Sequence, residues 1–477
     1  MKSLKRKAQQ KRGSRHLQTK VLRRSLLAGC AATAPMIWLP NPVFANQTTG
    51  RGSVKHLIYV RLSGGFRFTA AFNGDVANEF NPFGLARSAA PGTEWGMSAP
   101  LSRASFLEGE SNAERVVLGM KPLTQISNKI SVLATVDHEP FAGGADGNHG
   151  TGLDRYQTGF VGGDNSIFTM IHYGLRARIQ AAAAEGRIEL PPFVLGSTGM
   201  ARGAGKYAAY RPPTIQGENF EGFAFAGKKA LPEWANAMAA NRDRNMLNRQ
   251  VTASRSLVEA YMGTRESTEK FAEIFNSDIL RVRGGAANEV VDGITNSELE
   301  TLLGDSGSAR RARMALRLFH FGSPAVFFDE GGYDMHSQER ERLPERLESL
   351  ARLISGLEAA LKRMRHPSAE GGSYWDHTLV VFGSEFGRSA RGNPFNSAQG
   401  SDHGGDRATR WMSMPFMGGA IDRAGMAGKM YGRTAPSDLK DDGRVFSYRS
   451  VAKTLMDLLC ADHSEFFPAD APITDLF

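Results

Sequence analysis

Carboxylate, imidazole and guanidinium side chains fall in three glycine-rich segments of the last third of the chain. The segments are residues 331–336, 383–388 and 400–405, and their reactive members are Asp334, His336, Glu385, Arg388, Asp402 and His403. Carboxylate together with imidazole is the usual ligand set of Zn²⁺ and similar ions. A metal held in this way can polarise a phosphoryl or sulfuryl oxygen and can lower the pKa of bound water to about 7.

A fourth segment, Asn148-His149-Gly150, lies earlier in the chain and is followed by Thr158-Gly159. Each motif also has a purely structural interpretation. His149 would suit a buried, hydrogen-bonded position, and Arg388 could form a surface ion pair on a helix capped by Ser384. The placement of three such segments at successive predicted strand ends favours a shared polar site, in which Arg388 could bind a substrate oxyanion bidentately.

Six apolar and β-branched runs predict the strands that would position these segments. They cover residues 54–62, 130–136, 192–195, 325–329, 378–382 and 412–417. Helical patterns separate them, including leucines at three- and four-residue spacing over residues 343–361 and an amphipathic stretch at 448–460. This alternation predicts an α/β fold, with a mostly parallel sheet and helices on both faces. Ligands of such sheets bind beyond the carboxyl ends of the strands.

Residues 46–477 are predicted to form one domain, with a polar, alanine-rich helical insertion around residues 231–282. Residues 1–45 are predicted to be an export signal, cleaved before Asn46. Arg23-Arg24 before an apolar run is typical of a twin-arginine signal, which would engage the twin-arginine export machinery. An ordinary secretion signal is the alternative. We therefore expect a periplasmic or extracellular protein.

The leader also accounts for the basic character of the chain. It holds ten lysines and arginines and no acid, so a net charge of +9 for the whole chain becomes −1 without it. This balance argues against nucleic acid as a partner. No other long apolar stretch predicts a membrane span in the mature chain. Cys30 also matches a lipobox, so lipidation at Cys30 is an alternative to cleavage before Asn46. Cys460 would be the one cysteine of a chain cleaved before Asn46, which allows no internal disulfide.

These motifs together resemble the bacterial domain-of-unknown-function 1501 family, which is related to alkaline phosphatases and sulfatases. The resemblance rests on the leader, on Arg61-Leu62-Ser63-Gly64-Gly65 after the first strand, on His149, and on Gly332-Tyr333-Asp334-Met335-His336, Ser384-Glu385-Phe386-Gly387-Arg388, Asp402-His403-Gly404 and Gly418-Gly419. It implies an alkaline-phosphatase-like α/β sandwich. It also implies that Asp334, His336 and His403 hold one metal and that Glu385 contributes to a second.

The chain departs from the family pattern at Arg67. The family usually has an aspartate there, two residues after the glycine pair, as a metal ligand. A cation in this place suggests that the second metal site is disabled, with Arg67 paired to Glu385 or holding a substrate anion. Thr69 lies where a hydroxyl nucleophile could sit, and His149, Glu385 and Arg388 complete the candidate catalytic set.

Two principal hypotheses follow. The first is an exported hydrolase of phosphate or sulfate esters with one metal, for which Zn²⁺ is favoured and Ca²⁺, Mn²⁺ or no metal are alternatives. The second is a degenerate family member that binds a ligand or an envelope partner without turnover. A structural component of the envelope is a third interpretation.

Overall fold

A computed structural model describes residues 53–138, 148–184, 189–196, 199–215, 289–368, 370–389, 401–403 and 407–476, together with a few residues between 238 and 282. The predicted export signal and Cys30 lie outside the described residues. So does nearly all of the predicted helical insertion at residues 231–282. Both therefore stay predictions.

The described strands form one sheet in the order β4-β3-β5-β1-β6-β7-β2-β8, with β9 paired to β2. Their bounds are β1 His56–Leu62, β2 Ile130–Asp137, β3 Phe193–Leu195, β4 Thr214–Ile215, β5 Ala325–Glu330, β6 Thr378–Gly383, β7 Trp411–Met417, β8 Met430–Tyr431 and β9 Phe446–Ser447. Strand β7 is antiparallel to β6 and β2, and the other pairs are parallel. All six predicted strands are present, with bounds shifted by at most two residues.

Twelve α-helices lie in the described part of the chain. They are α1 Ala113–Val117, α2 Leu123–Ile126, α3 His149–Thr158, α4 Ile167–Gly174, α5 Arg176–Ala184, α6 Asn296–Leu303, α7 Gly307–His320, α8 Glu339–Arg363, α9 Tyr374–His377, α10 Arg407–Arg410, α11 Gly419–Arg423 and α12 Tyr448–Leu458. The leucine pattern at 343–361 thus lies within α8, and the pattern at 448–460 corresponds to α12.

Helices cover both faces of the sheet, as contacts along β1 show. Successive residues of a strand point to opposite faces. On one face, His56 stacks on Phe319 of α7, with ring centroids 4.5 Å apart. On the other, Tyr59 packs against Tyr156 of α3 and Phe168 of α4. The α/β fold class predicted from the sequence is therefore confirmed.

Strand β1 is central, and its sequence explains why. All seven of its residues are buried, because β5 and β6 flank it and helices cover both faces. Its one arginine, Arg61, lies opposite Asp329 of β5 in the register, and Arg61 Nε donates to Asp329 Oδ1 at 2.7 Å. This ion pair gives the buried charge of Arg61 a counter-charge, which offsets the cost of removing it from water.

The topology brings the four polar segments to one edge of the sheet. Strands β1, β5 and β6 are parallel, so the loops that follow them leave at the same edge. Because β7 is antiparallel to both β6 and β2, β2 also ends there and β7 begins there. No helix among the described residues is long and apolar enough to span a membrane.

Candidate metal centre

Three histidine side chains surround the carboxylate of Asp334, which follows β5. His336 Nε2 and His403 Nε2 lie 3.0 and 3.1 Å from Asp334 Oδ1. His149 Nε2 lies 3.6 Å from Asp334 Oδ2. The sheet edge therefore assembles one carboxylate and three imidazoles from segments far apart in sequence.

The spacing of these atoms fits a zinc-like ion. Two ligands of a tetrahedral zinc, each ~2.0–2.1 Å from the metal, lie about 3.3 Å apart. The three separations between Asp334 and an imidazole nitrogen, 3.0–3.6 Å, bracket that value, and the ligand atoms of His149, Asp334 and His403 all lie within 4.8 Å of one another. Nitrogen donors with one carboxylate oxygen are also the chemistry that zinc prefers.

Two overlapping groups have ligand atoms that all lie within 4.8 Å of one another. They are His149, Asp334 and His403, and His336, Asp402 and His403. The predicted set of Asp334, His336 and His403 is thus modified. His149, which the sequence suggested as a catalytic group, joins Asp334 and His403 as a candidate ligand. Asp402, seen in the motif but not assigned a metal role, joins His336.

Glu385, predicted to contribute to a second metal, lies behind His149 instead. It is 2% exposed, and its Oε1 lies 3.4 Å from His149 Nδ1. His149 therefore has one ring nitrogen facing Glu385 and the other facing Asp334. A carboxylate on the far nitrogen orients an imidazole and makes it a better ligand. In this geometry Glu385 positions His149.

Arg388, predicted to hold a substrate anion, is 1% exposed and donates to protein acceptors. Its Nη1 donates to Asp334 Oδ1 at 2.8 Å and to Gly64 O at 2.7 Å, and its Nε and Nη2 donate to Ser401. The guanidinium fixes one oxygen of Asp334 and ties it to the loop that carries His403. The group is buried and its donors are engaged by protein acceptors, so this arrangement does not favour the predicted substrate-binding role, which stays a prediction.

Gly64 joins these supports through its backbone. Its N–H donates to Glu385 Oε1 at 2.7 Å, and its carbonyl accepts from Arg388. It has a φ of +112°, and a Cβ there would lie 2.6 Å from the Asp334 backbone nitrogen. Only glycine allows this conformation and this close approach.

The loop that carries Asp402 and His403 is attached to two neighbouring segments. Ser401 N donates to Met335 O, and Asp402 N donates to Ser389 Oγ. These bonds join it to the residues that follow β5 and β6. His403 also lies against the buried ring of Phe386, at 4.9 Å between centroids, as does His149. The ring forms an apolar floor beneath two imidazoles.

Arg67 does not pair with Glu385, and this part of the prediction is wrong. Its Nη1 donates to Glu339 Oε2 at 2.6 Å, and both side chains are 1% exposed. Glu339 Oε1 accepts from Ser401 Oγ at 2.9 Å, which in turn accepts from Arg388 Nε. A buried network thus runs from Arg67 to Asp334. A buried guanidinium in this network is not placed to hold a substrate.

Thr69, the predicted nucleophile, lies beside Arg67 and not beside the histidines. Its hydroxyl donates to Phe80 O at 2.9 Å, and Arg67 Nε donates to the same carbonyl at 3.3 Å. The residue is 7% exposed. These contacts give Thr69 a role in fixing the loop after β1 and do not favour a nucleophilic role.

The pKa shifts of Asp334 and His403 favour metal binding, whereas that of His149 favours the protonated imidazole, so an ion would have to displace a proton from His149. Burial raises the pKa of Asp334, but hydrogen bonds from His403 and Arg388 outweigh it and lower the pKa to about 2. Burial also raises the pKa of Glu385, and contacts with His149 and Arg61 reverse this to a net lowering. Burial lowers the pKa of His403, whereas the bond to Glu385 raises that of His149. Asp334 ionised and His403 neutral are the forms that bind metal.

Comparison with known proteins identifies the family. A model of the family described as "Protein of unknown function (DUF1501)" matches residues 88–472. The chain belongs to that family. The matched range includes His149, Asp334, Glu385 and His403 and begins after Arg67, so it does not test the departure at that position. The comparison with curated proteins gave no match.

Two similar solved structures are crystal structures of the C-terminal periplasmic domain of EcEptC from Escherichia coli. One has 12% identity and a TM-score of 0.29, and covers 91% of this chain and 90% of that chain. The other, a complex with Zn, has 11% identity, the same TM-score and the same coverage. A likeness at this level does not bear on the activity.

Proposed function

We propose that this family member is an exported, metal-dependent hydrolase of phosphate or sulfate esters with a single metal centre. The observation that carries the proposal is the convergence of His149, His336 and His403 on Asp334, at N···O separations of 3.0–3.6 Å. The resemblance of the motifs to the alkaline phosphatase and sulfatase superfamily supplies the reaction class, and the twin-arginine-like leader supplies the export.

His149, Asp334 and His403 would hold the ion, for which Zn²⁺ is favoured. When bound, the metal would supply Lewis acidity toward an ester oxygen and a water of lowered pKa. His336 and Asp402 lie beside His403, with His336 Nδ1 3.6 Å from Asp402 Oδ1. His336 is 42% exposed at the side chain, so it is accessible to a substrate or a water.

The supporting residues keep the ligands in place before an ion arrives. Arg388 holds one oxygen of Asp334, and Glu385 faces the far nitrogen of His149. Among the described hydroxyls close to the cluster, Ser384 donates to Leu62 O and Ser401 donates to Glu339. Both are buried and engaged, so neither is placed to act as a nucleophile, and the attacking group in this proposal is a water.

The proposal is tested by metal analysis of protein folded in the cell and purified without chelator. We expect about one equivalent of a transition metal per chain, and turnover of a chromogenic phosphate or sulfate ester. Asp334→Ala and His403→Ala should lose the metal and the turnover. His320→Ala is the matched control, because His320 pairs with Asp292 away from the cluster. Absence of metal from the natural protein, or metal content unchanged in both variants, would refute the proposal.

A binding protein without turnover is the second candidate, and Arg67 is the observation that favours it. An arginine, paired with Glu339, stands at the position where the family resemblance implies a carboxylate ligand of a second metal. Under this alternative the metal analysis gives the same result as above, but no ester is hydrolysed by the natural protein. Ester turnover abolished by His336→Ala would eliminate it.

A further inference from the structure

A cavity of about 310 Å³ lies beside the end of β5, the strand that precedes Asp334. It is lined by the residues that start α7, by the end of β5 and by one side of α8, including Arg311, Arg346 and Arg352. Gly331 belongs to this lining, and it precedes Asp334 by three residues. Their Cα atoms are therefore at most about 11 Å apart.

Arg311 and Arg352 are partly buried in the wall of this cavity, and Arg346 lies exposed at its rim. Arg346 and Arg352 lie against Gly332 and Gly304, where an added Cβ would come within 3.0 Å of Arg346 Cζ and 2.6 Å of Arg352 Nη2. Arg311 Nη1 donates to Asp329 O at 2.9 Å, which fixes its position. Glycines with φ of +93° and +98° leave the space that the guanidiniums of Arg352 and Arg346 occupy.

The acidic residues of the lining are largely neutralised by other arginines. Asp305 pairs with Arg310 and Arg313 at 3.2 and 2.8 Å. Asp329 pairs with Arg61 at 2.7 Å. These pairs leave the cations of the cavity with only one further carboxylate among the lining residues, that of Glu330.

Glu330 does not balance three cations. It is 6% exposed, and burial raises its pKa in spite of Arg311 and Arg346. Arg352 has no ion pair or hydrogen bond with any described residue, and burial and the nearby Arg115 lower its pKa. The Nε atoms of Arg311 and Arg352 are buried without a hydrogen-bond partner among the described residues, as is that of Arg313 outside the lining. Buried donors of this kind need an acceptor, and a ligand or a water in the cavity would supply one.

We propose that this cavity is a second binding site, which takes an organic ligand through a phosphate or sulfate group held by Arg311, Arg346 and Arg352. Guanidinium forks match the oxygens of such groups bidentately. The start of α7, a helix of 14 residues, lies in the same wall and favours negative charge. The volume is at the lower end of the ~300–1,000 Å³ range of small-molecule sites, so an ester larger than the bare anion fits.

The test is calorimetric titration of the full mature chain with inorganic phosphate and with phenyl phosphate, at constant ionic strength set with chloride, with phenol release followed in parallel to separate any heat of hydrolysis from binding. We expect binding of both, tighter for phenyl phosphate. Arg352→Gln and Arg346→Gln should each weaken binding at least tenfold. Arg103→Gln, a change of an exposed arginine, should leave it unchanged. Thermal melting in chloride would confirm that each variant folds.

The variant Asp334→Ala separates this proposal from the proposed function. Binding that persists in Asp334→Ala and is lost in Arg352→Gln supports the cavity site whether or not the protein is a hydrolase. Binding that is lost in Asp334→Ala and kept in the folded arginine variants would place the anion at the metal cluster and overturn the cavity site. Absence of binding by the natural protein at millimolar phosphate and phenyl phosphate would also overturn it.

Discussion

At the scale of single residues, the candidate centre depends on charges that are paired out of contact with water. Arg67, Glu339 and Arg388 are each 1–2% exposed, and Ser401 connects Glu339 to Arg388. Removing one partner of a buried ion pair costs more than the pair itself contributes, because the remaining charge stays buried. The network therefore stabilises the site only while it is complete.

We expect Glu339→Gln to lower the free energy of unfolding by roughly 3–5 kcal/mol, since it leaves Arg67 buried without a counter-charge. Glu341→Gln, an exposed change in the same helical turn, should alter it by less than about 0.5 kcal/mol. Chemical denaturation measures both. Changing both Arg67 and Glu339 to methionine should lower the free energy of unfolding by less than the sum of the two single methionine changes. Equal stability of the two glutamine variants would contradict this account.

At the scale of elements, the ends of β1, β5 and β6 are held together by backbone contacts. Gly64 contributes an N–H to Glu385 and a carbonyl to Arg388, and Phe66 N donates to Phe386 O. The loop that follows β1 thereby fixes the loop that follows β6. Gly64 also lies close to Asp334, and this contact fixes the loop after β5.

Gly64→Ala should disrupt the centre through this approach. The added Cβ would lie 2.6 Å from Asp334 N and 2.8 Å from Asp334 Cβ, at a φ of +112°. We expect a loss of stability above the ~1–3 kcal/mol of backbone strain, together with a loss of metal. Gly84→Ala isolates the strain, because Gly84 has a φ of +73° and nothing within 4 Å of its added Cβ. Metal analysis and denaturation of both variants measure the difference. Full metal content in a folded Gly64→Ala protein would contradict this prediction.

At the scale of the whole molecule, buried histidines remote from the centre set a limit on acid stability. Burial lowers the pKa of His56 to about 3 and that of His172 to about 4, from 6.5. Below pH 6.5 the unfolded chain takes up protons that the folded chain refuses. Stability is therefore greatest above pH 6.5 and falls as the pH drops toward the folded-state values.

As the pH falls from roughly 6 to 4, protonation of each of these two histidines in the unfolded chain should lower the free energy of unfolding by about 1.4 kcal/mol per pH unit. His172→Asn keeps a donor for Tyr210 O, which lies 2.8 Å from His172 Nδ1. It also removes one group that takes up a proton in the unfolded chain but not in the folded chain. The variant should lose less stability between pH 7 and 5 than the natural protein. Denaturation at stepwise pH tests this, with His320→Asn as the matched control. Parallel pH profiles for the natural protein and His172→Asn would refute it.

The sequence by itself determined the strands, the fold class and the residue types of the centre. Buried strands are continuous apolar runs, so β1, β5 and β6 could be located to within two residues, and their polar C-terminal segments followed. Two-residue strands such as β4 and β8 have too few residues to show a pattern.

Only the tertiary structure decided which partner each polar side chain has. Arg67 pairs with Glu339, 272 residues away, and not with Glu385, and Thr69 lies with Arg67 away from the histidines. Periodicity reports which face of an element is buried but not which distant charge lies opposite. The assignment of His149 to the metal group, of Arg388 to Asp334 and of three arginines to one cavity therefore needed the packed loops. Those contacts are fixed by the parallel order of the strands, which brings their carboxyl ends to one edge.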